Sequence, residues 1–187
     1  MIKKKDYKKV QRQLQEFLSA RFEDVTVKVG DGIHYKGTNV VVTSSVFVDL
    51  LPEQRFHHVV HAIPPDFYEE HLRGGVVWFE LAPGESGQAY MRMPRSDDVA
   101  GLETAILRRL DEIAFFDKHE KALAAEGGTV SERDFDEARR ILAKAGLDEG
   151  ENVQARLLFI RYGGFCDAEI PTVVRPAMAD GGKAKSQ

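Results

Sequence analysis

The chain has a single cysteine and a single tryptophan among 187 residues, and no apolar run of membrane length. A lone Cys166 excludes an internal disulfide framework and fits a reducing cytosol. A membrane helix needs about 20 consecutive apolar residues. The longest apolar stretches, at 74–79 and 155–160, are far shorter. The start, Met1-Ile2-Lys3-Lys4-Lys5-Asp6, carries charge with no apolar segment behind it, unlike a secretory signal. Also missing are an internal repeat, a nucleophile elbow around Ser44, Ser45 or Ser86, and a second cysteine to complete a redox or zinc motif. No catalytic constellation is legible, so a binding or adaptor role is expected before an enzymatic one.

What is present is the composition of a globular protein, with 43% hydrophobic and 30% charged residues. Charge is unevenly placed. Lys3, Lys4, Lys5, Lys8, Lys9 and Arg12 against Asp6 give residues 1–12 a local +5, so the remainder carries −9 of the net −4. Nucleic-acid binding needs positive charge spread over a footprint, and here it sits in one terminal arm. A protein partner is therefore expected. Nucleic acid is disfavoured, with those six basic residues as the alternative contact set.

Tyr7, Val10, Leu14, Phe17 and Leu18 recur at three- and four-residue spacing, which predicts an amphipathic helix over 4–22. Alternating β-branched residues predict strands at 25–29 and 40–43. Pro52 suits the first turn of a helix running to about 61, and Pro64-Pro65 stops it. A further short helical turn is expected over 66–73, then a third strand over 76–81. The next stretch, with Gly87 and Pro94, predicts a linker at 86–95. Ser96-Asp97-Asp98 starts a helix whose period continues through Ile113 and ends at Gly127-Gly128. Ser131 and Asp134 resemble a capping box for a helix faced by Phe135, Ala138, Ile141 and Leu142. A last helix is predicted over 153–162, and 171–187 reads as a disordered tail. The expected fold class is α+β. A three-stranded sheet with helices on one face occupies 1–85, and a mainly helical domain occupies 96–170.

Three features stand out as candidate sites. Glu53, His57 and His61 fall on one flank of the second helix, a turn apart each. Two imidazoles at i, i+4 beside a carboxylate can hold a transition metal or form a plain polar flank. The intervening residue is His58, so no metalloprotease base is supplied, and neither metal nor cofactor is expected. The loop between the first two strands presents His34, Tyr35 and Lys36 between glycines, a plausible contact surface. Gly84-Glu85-Ser86-Gly87 fits a Gly-x-x-Gly loop, but it follows a strand and is acidic. His34, Tyr35, Lys36, Arg55, His57 and His61 form the expected binding set.

Two stretches resemble known families. Ile33-His34-Tyr35-Lys36-Gly37, then 40–43 with Ser45-Val46-Phe47, then Gln54-Arg55-Phe56-His57-His58-Val59-Val60 resemble the BolA family, whose fold is KH-like. That family's His-Ala-Leu before the last strand is replaced by Leu72-Arg73-Gly74-Gly75-Val76. Only His34 in the loop and the displaced His71 could substitute for the histidine with which that family holds an iron–sulfur cluster shared with monothiol glutaredoxins, and the resemblance implies a KH-like fold. Gly163-Gly164-Phe165-Cys166-Asp167-Ala168-Glu169-Ile170 is similar to the end of a small bacterial family of unknown function. Ala168 stands where that family has a second cysteine, which removes a two-thiol site. With no catalytic constellation legible, the expected protein is a bacterial, cytoplasmic, two-part adaptor, with an RNA-binding KH-like protein and a metal- or thiol-dependent enzyme as the alternatives.

Overall fold

A computed structural model of the chain describes residues 2–32, 37–125 and 131–180. The fold is α+β, and the chain divides into two compact units, Met1–Met93 and Pro94–Gln187.

In the first unit, α1 (Tyr7–Ser19) buries Val10, Leu14 and Leu18 along one stripe. The chain returns as β1 (Thr26–Asp31), antiparallel to β2 (Thr38–Thr43) with Val27 opposite Val42. The Asp24 carboxylate accepts from the Ser44 hydroxyl at 2.8 Å and the Ser45 amide at 2.9 Å, pinning the exit from β2. Then α2 (Pro52–His61) begins with proline at its first turn, and Gln54 Oε1 accepts from the Leu51 amide at 3.1 Å. A single turn, α3 (Pro65–Phe67), runs into a π-helical turn at Tyr68–Leu72. Gly74 and Gly75 take φ of 74° and 72°, conformations open to glycine, and redirect the chain into β3 (Val76–Leu81). β3 lies parallel to β2, giving the order β1-β2-β3. Val40 and Val42 are fully buried among Leu14, Leu18, Phe47, Val59 and Leu72, so the helices cover that face of the sheet.

Residues 86–95, expected as an irregular linker, contain α4 (Gly87–Met91). Ser86 Oγ caps it by accepting from the Ala89 amide at 3.1 Å, and Tyr90 is buried. A five-residue helix carries too little periodicity to be read from sequence.

The second unit is helical among its described residues. A 3₁₀ turn at Ser96–Val99 leads to α5 (Glu103–Glu112) and α6 (Phe115–Ala125). The sequence predicts one helix here. The structure breaks it at Ala114, whose φ is 50°, and no glycine or proline announces the break. α7 (Asp136–Lys144) buries the expected face of Ala138, Ile141 and Leu142. α8 (Glu149–Arg161) starts four residues earlier than predicted. Asp148 caps it, accepting from the Glu151 amide at 2.8 Å while Glu151 accepts from the Asp148 amide at 3.0 Å. Phe159 stacks on Phe115 at 5.2 Å and meets Phe135 edge-on at 5.7 Å in the core. The tail expected at 171–187 is helical as far as it is described. A π turn at Ile170–Val174 and α9 (Arg175–Ala179) follow, with Val174 fully buried. Burying Val174 outweighs the Pro171 and Pro176 signals.

Candidate functional site

A three-stranded sheet has two edges, and this one treats them differently. Along β1, Gln15 Oε1 accepts from the Val27 amide at 2.9 Å, and Gln15 Nε2 donates to the Val25 carbonyl at 2.7 Å. Gln11 Oε1 accepts from the Val29 amide at 3.1 Å. Two glutamines one turn apart on α1 thus occupy the main-chain groups that a further strand would pair with.

The other edge belongs to β3. Thr38 N–H donates to the Gly75 carbonyl and Ser44 N–H to the Leu81 carbonyl, each at 3.1 Å. Alternation then turns the main-chain groups of Val77 and Phe79 toward β2 and those of Val76, Trp78 and Glu80 outward. Arg55 Nη1 takes the Glu80 carbonyl at 2.8 Å. Among the described residues no further strand pairs with this edge, and no hydrogen bond reaches the outward main-chain groups of Val76 and Trp78. Apolar side chains flank this stretch. Phe56 on α2 meets Trp78 edge-on at 6.2 Å on the helix side. Val77 points to the opposite face, and Phe56 and Val77 are 36% and 39% exposed.

The edge is closed at its far end by a buried knot. Arg55, only 3% exposed, donates from Nε to the Leu50 carbonyl at 2.9 Å and pairs with Glu85 at 2.5 Å. Its guanidinium lies 5.9 Å from the Tyr90 ring centre, and the Tyr90 hydroxyl donates to the buried Glu80 carboxylate. Arg55, expected among the binding residues, faces inward and ties α2, β3 and α4 together. Glu85 of the Gly-x-x-Gly loop is spent on Arg55 and on the Ala82 amide at 3.0 Å.

His57 and His61 do come together, with ring centres 4.0 Å apart. His61 Nδ1 donates to the His57 carbonyl at 2.9 Å, which leaves Nε2 facing away. Burial, then the neighbouring His61 and His58 charges, pushes the His57 pKa down to about 4. Glu53 lies one further turn back along the same helix. No group of three or more His, Cys, Asp or Glu side chains able to hold a metal occurs among the described residues. His71 packs on Phe67 at 4.7 Å beside Glu70. His34, Tyr35 and Lys36 lie outside the described residues. Lys3, Lys5, Lys8 and Lys9 are exposed, whereas Lys4 pairs with Asp31 and Arg12 approaches Glu16 at 4.0 Å.

In the second unit the Gly-Gly-Phe-Cys-Asp-Ala-Glu-Ile segment is a structural staple. Gly163, at φ 87°, ends α8, and the Gly164 amide closes back onto the Phe159 carbonyl at 3.0 Å. Asp167 accepts from the Glu137 amide at 2.8 Å and the Ala138 amide at 2.9 Å, capping α7 from thirty residues away. Ser131, read as that cap, instead accepts from Arg133 and Asp134, before the helix begins. Glu169 accepts from the Phe165 amide at 2.6 Å. Burial, with Glu169 adding negative charge, pushes the Cys166 thiol up to about 12, so it is held as an inert thiol.

Sequence reasoning missed the β3 edge and the Asp167 cap. Gln11 and Gln15, one turn apart on the first helix, were a signal only for the covered β1 edge. No family model, curated protein or solved structure matches the chain. No helix among the described residues is long and apolar enough to cross a membrane.

Proposed function

We propose that the protein is a non-catalytic adaptor of the bacterial cytoplasm that captures an extended segment of a protein partner along the outer edge of β3. The observation that carries this reading is the contrast between the two edges: glutamines occupy β1, while Val76 and Trp78 present main-chain groups unoccupied among the described residues, beside Phe56 and Val77. Strand addition takes its affinity from main-chain hydrogen bonds and its selectivity from flanking side chains. The helix–strand–strand–helix–strand order, with β3 parallel to β2, supports a KH-like reading of this unit. The basic arm is less suited to nucleic acid, since Lys4 and Arg12 already face carboxylates.

The sole tryptophan lies at the site, so its emission reports occupancy directly. Peptides selected from a random display library on the full chain should alternate apolar residues and shift Trp78 fluorescence. Val76→Pro removes an outward N–H while sparing the ladder to β2, and should abolish that binding with little loss of thermal stability. Peptides that bind the Pro variant equally well would refute the edge as the site. RNA binding that survives about 200 mM salt would favour the nucleic-acid reading instead.

A further inference from the structure

We propose that the cleft between α6 and α7 binds a small amphipathic anion, with an apolar body and one carboxylate or phosphate head. The cleft has a volume of about 440 Å³, within the range of small-ligand sites. Its floor is apolar: Ala122 on α6 faces Ile141 on α7 and Ala145, one turn further at that helix's C-terminal cap. Its rim is cationic, with Lys118 on one side and Arg140 and Lys144, again one turn apart, on the other.

These cations are not equivalent. Arg140 is held by Glu137, whose carboxylate accepts from Nε at 2.8 Å and lies 2.6 Å from Nη2. Glu137 is itself 9% exposed, so the guanidinium is fixed in place and neutralised by a buried partner. Lys118 and Lys144 form no ion pair among the described residues. The cleft therefore keeps two uncompensated positive charges above an apolar floor, and an anionic head with a greasy body satisfies both.

The size of the cleft selects a small molecule over an acidic helix. α7 has nine residues and spans about 13 Å, whereas a docked helix needs anchors over roughly three turns. Either a lipid-derived or a soluble metabolite source would present the same chemistry.

The test uses the full chain labelled at isoleucine δ-methyl groups, with the Ile141 signal assigned through Ile141→Val. Decanoate, decyl phosphate and neutral decanol are titrated separately. Decanoate or decyl phosphate should move the Ile141 signal saturably below about 1 mM, with decanol at least about tenfold weaker. Relative affinity of the two anions tells which head the rim prefers. Lys118→Glu/Lys144→Glu, both at exposed positions, should weaken the anions at least about tenfold and leave decanol unchanged. Raising salt from about 50 to 500 mM should weaken anion binding to the unaltered chain in the same direction, which keeps the test valid if the double variant folds poorly. A silent Ile141 methyl, decanol matching the anions, or indifference to both salt and charge reversal would overturn the proposal. It is independent of the β3 edge, because Trp78 emission and the Ile141 methyl report on different units.

Discussion

His119 Nε2 stands 3.0 Å from Oδ1 of Asp167, and both side chains are almost wholly removed from water, at 0% and 1% exposure. The same carboxylate receives the first amides of α7. One side chain therefore joins α6, α7 and the segment after α8, and His119 is further held by stacking on Phe115 at 5.5 Å.

Removing that carboxylate should unravel more than a cap. Asp167→Ala strands two amides and an imidazole in a dry interior, and should cost about 3 kcal/mol or more. Asp167→Asn keeps one acceptor and should cost less. Denaturant titration of both variants checks the order. Equal stability of Asp167→Ala and the parent chain would show the cap is dispensable.

Gly164 has no room for a methyl group, since a Cβ there would lie 2.3 Å from Cγ2 of Val174. Gly164→Ala should lose about 1–3 kcal/mol by overpacking. Adding Val174→Ala should recover part of that loss, so the double variant is more stable than the sum of the singles implies. Strict additivity in a thermodynamic cycle would place the strain elsewhere.

Acid should weaken the first unit through His57. Its folded pKa of about 4 lies below the ordinary 6.5, so between these values the unfolded chain binds the extra proton. Stability is then full above about pH 6.5 and falls as pH drops toward 4. His57→Gln should flatten that limb of the thermal midpoint against pH, by an amount moderated by solvent because the ring is half-buried. An unchanged slope would assign the acid sensitivity to other groups.

Cys166 should ignore thiol reagents. A thiol held near 12 is thiolate in roughly one molecule in ten thousand at pH 8, and it is buried as well. Modification by a disulfide reagent should proceed only as fast as unfolding, and rapid stoichiometric labelling of the native chain would contradict the geometry.

Sequence patterns were readable where the signal is local. Pro52 and the Pro64-Pro65 pair bracket α2, and the β-branched and aromatic run Val76-Val77-Trp78-Phe79 marks β3. What could not be read depends on residues far apart or on conformations without a marker residue. The cap of α7 comes from Asp167, thirty positions away, so a nearby serine looked like the better candidate. Ala114 adopts a backbone shape in which glycine would be expected, so one long helix was inferred where two exist. Arg55 illustrates the same limit at the candidate site. It belongs to the expected binding set, and only the fold shows that Leu50, Glu80 and Glu85 hold it inward.

The α1 glutamines that cover β1 are open to a direct trial. Gln11→Ala/Gln15→Ala leaves the Val27 and Val29 amides without acceptors, and should cost about 1–3 kcal/mol if water cannot replace them. The freed edge should also raise self-association in sedimentation runs at increasing concentration. A variant that stays monomeric and equally stable would show that the glutamines are incidental.

The seal on β1 also sets an arithmetic for assembly. A sheet that can accept a neighbour on one side only behaves like a chain terminator toward its own kind: once β3 is paired with the β3 of a twin molecule, both outer borders of the product are glutamine-stopped. Growth into a filament requires two receptive borders per subunit, and this fold supplies one. Two such subunits joined β3 to β3 would therefore form a closed pair, so an open edge on this sheet does not by itself lead to open-ended stacking of the chain.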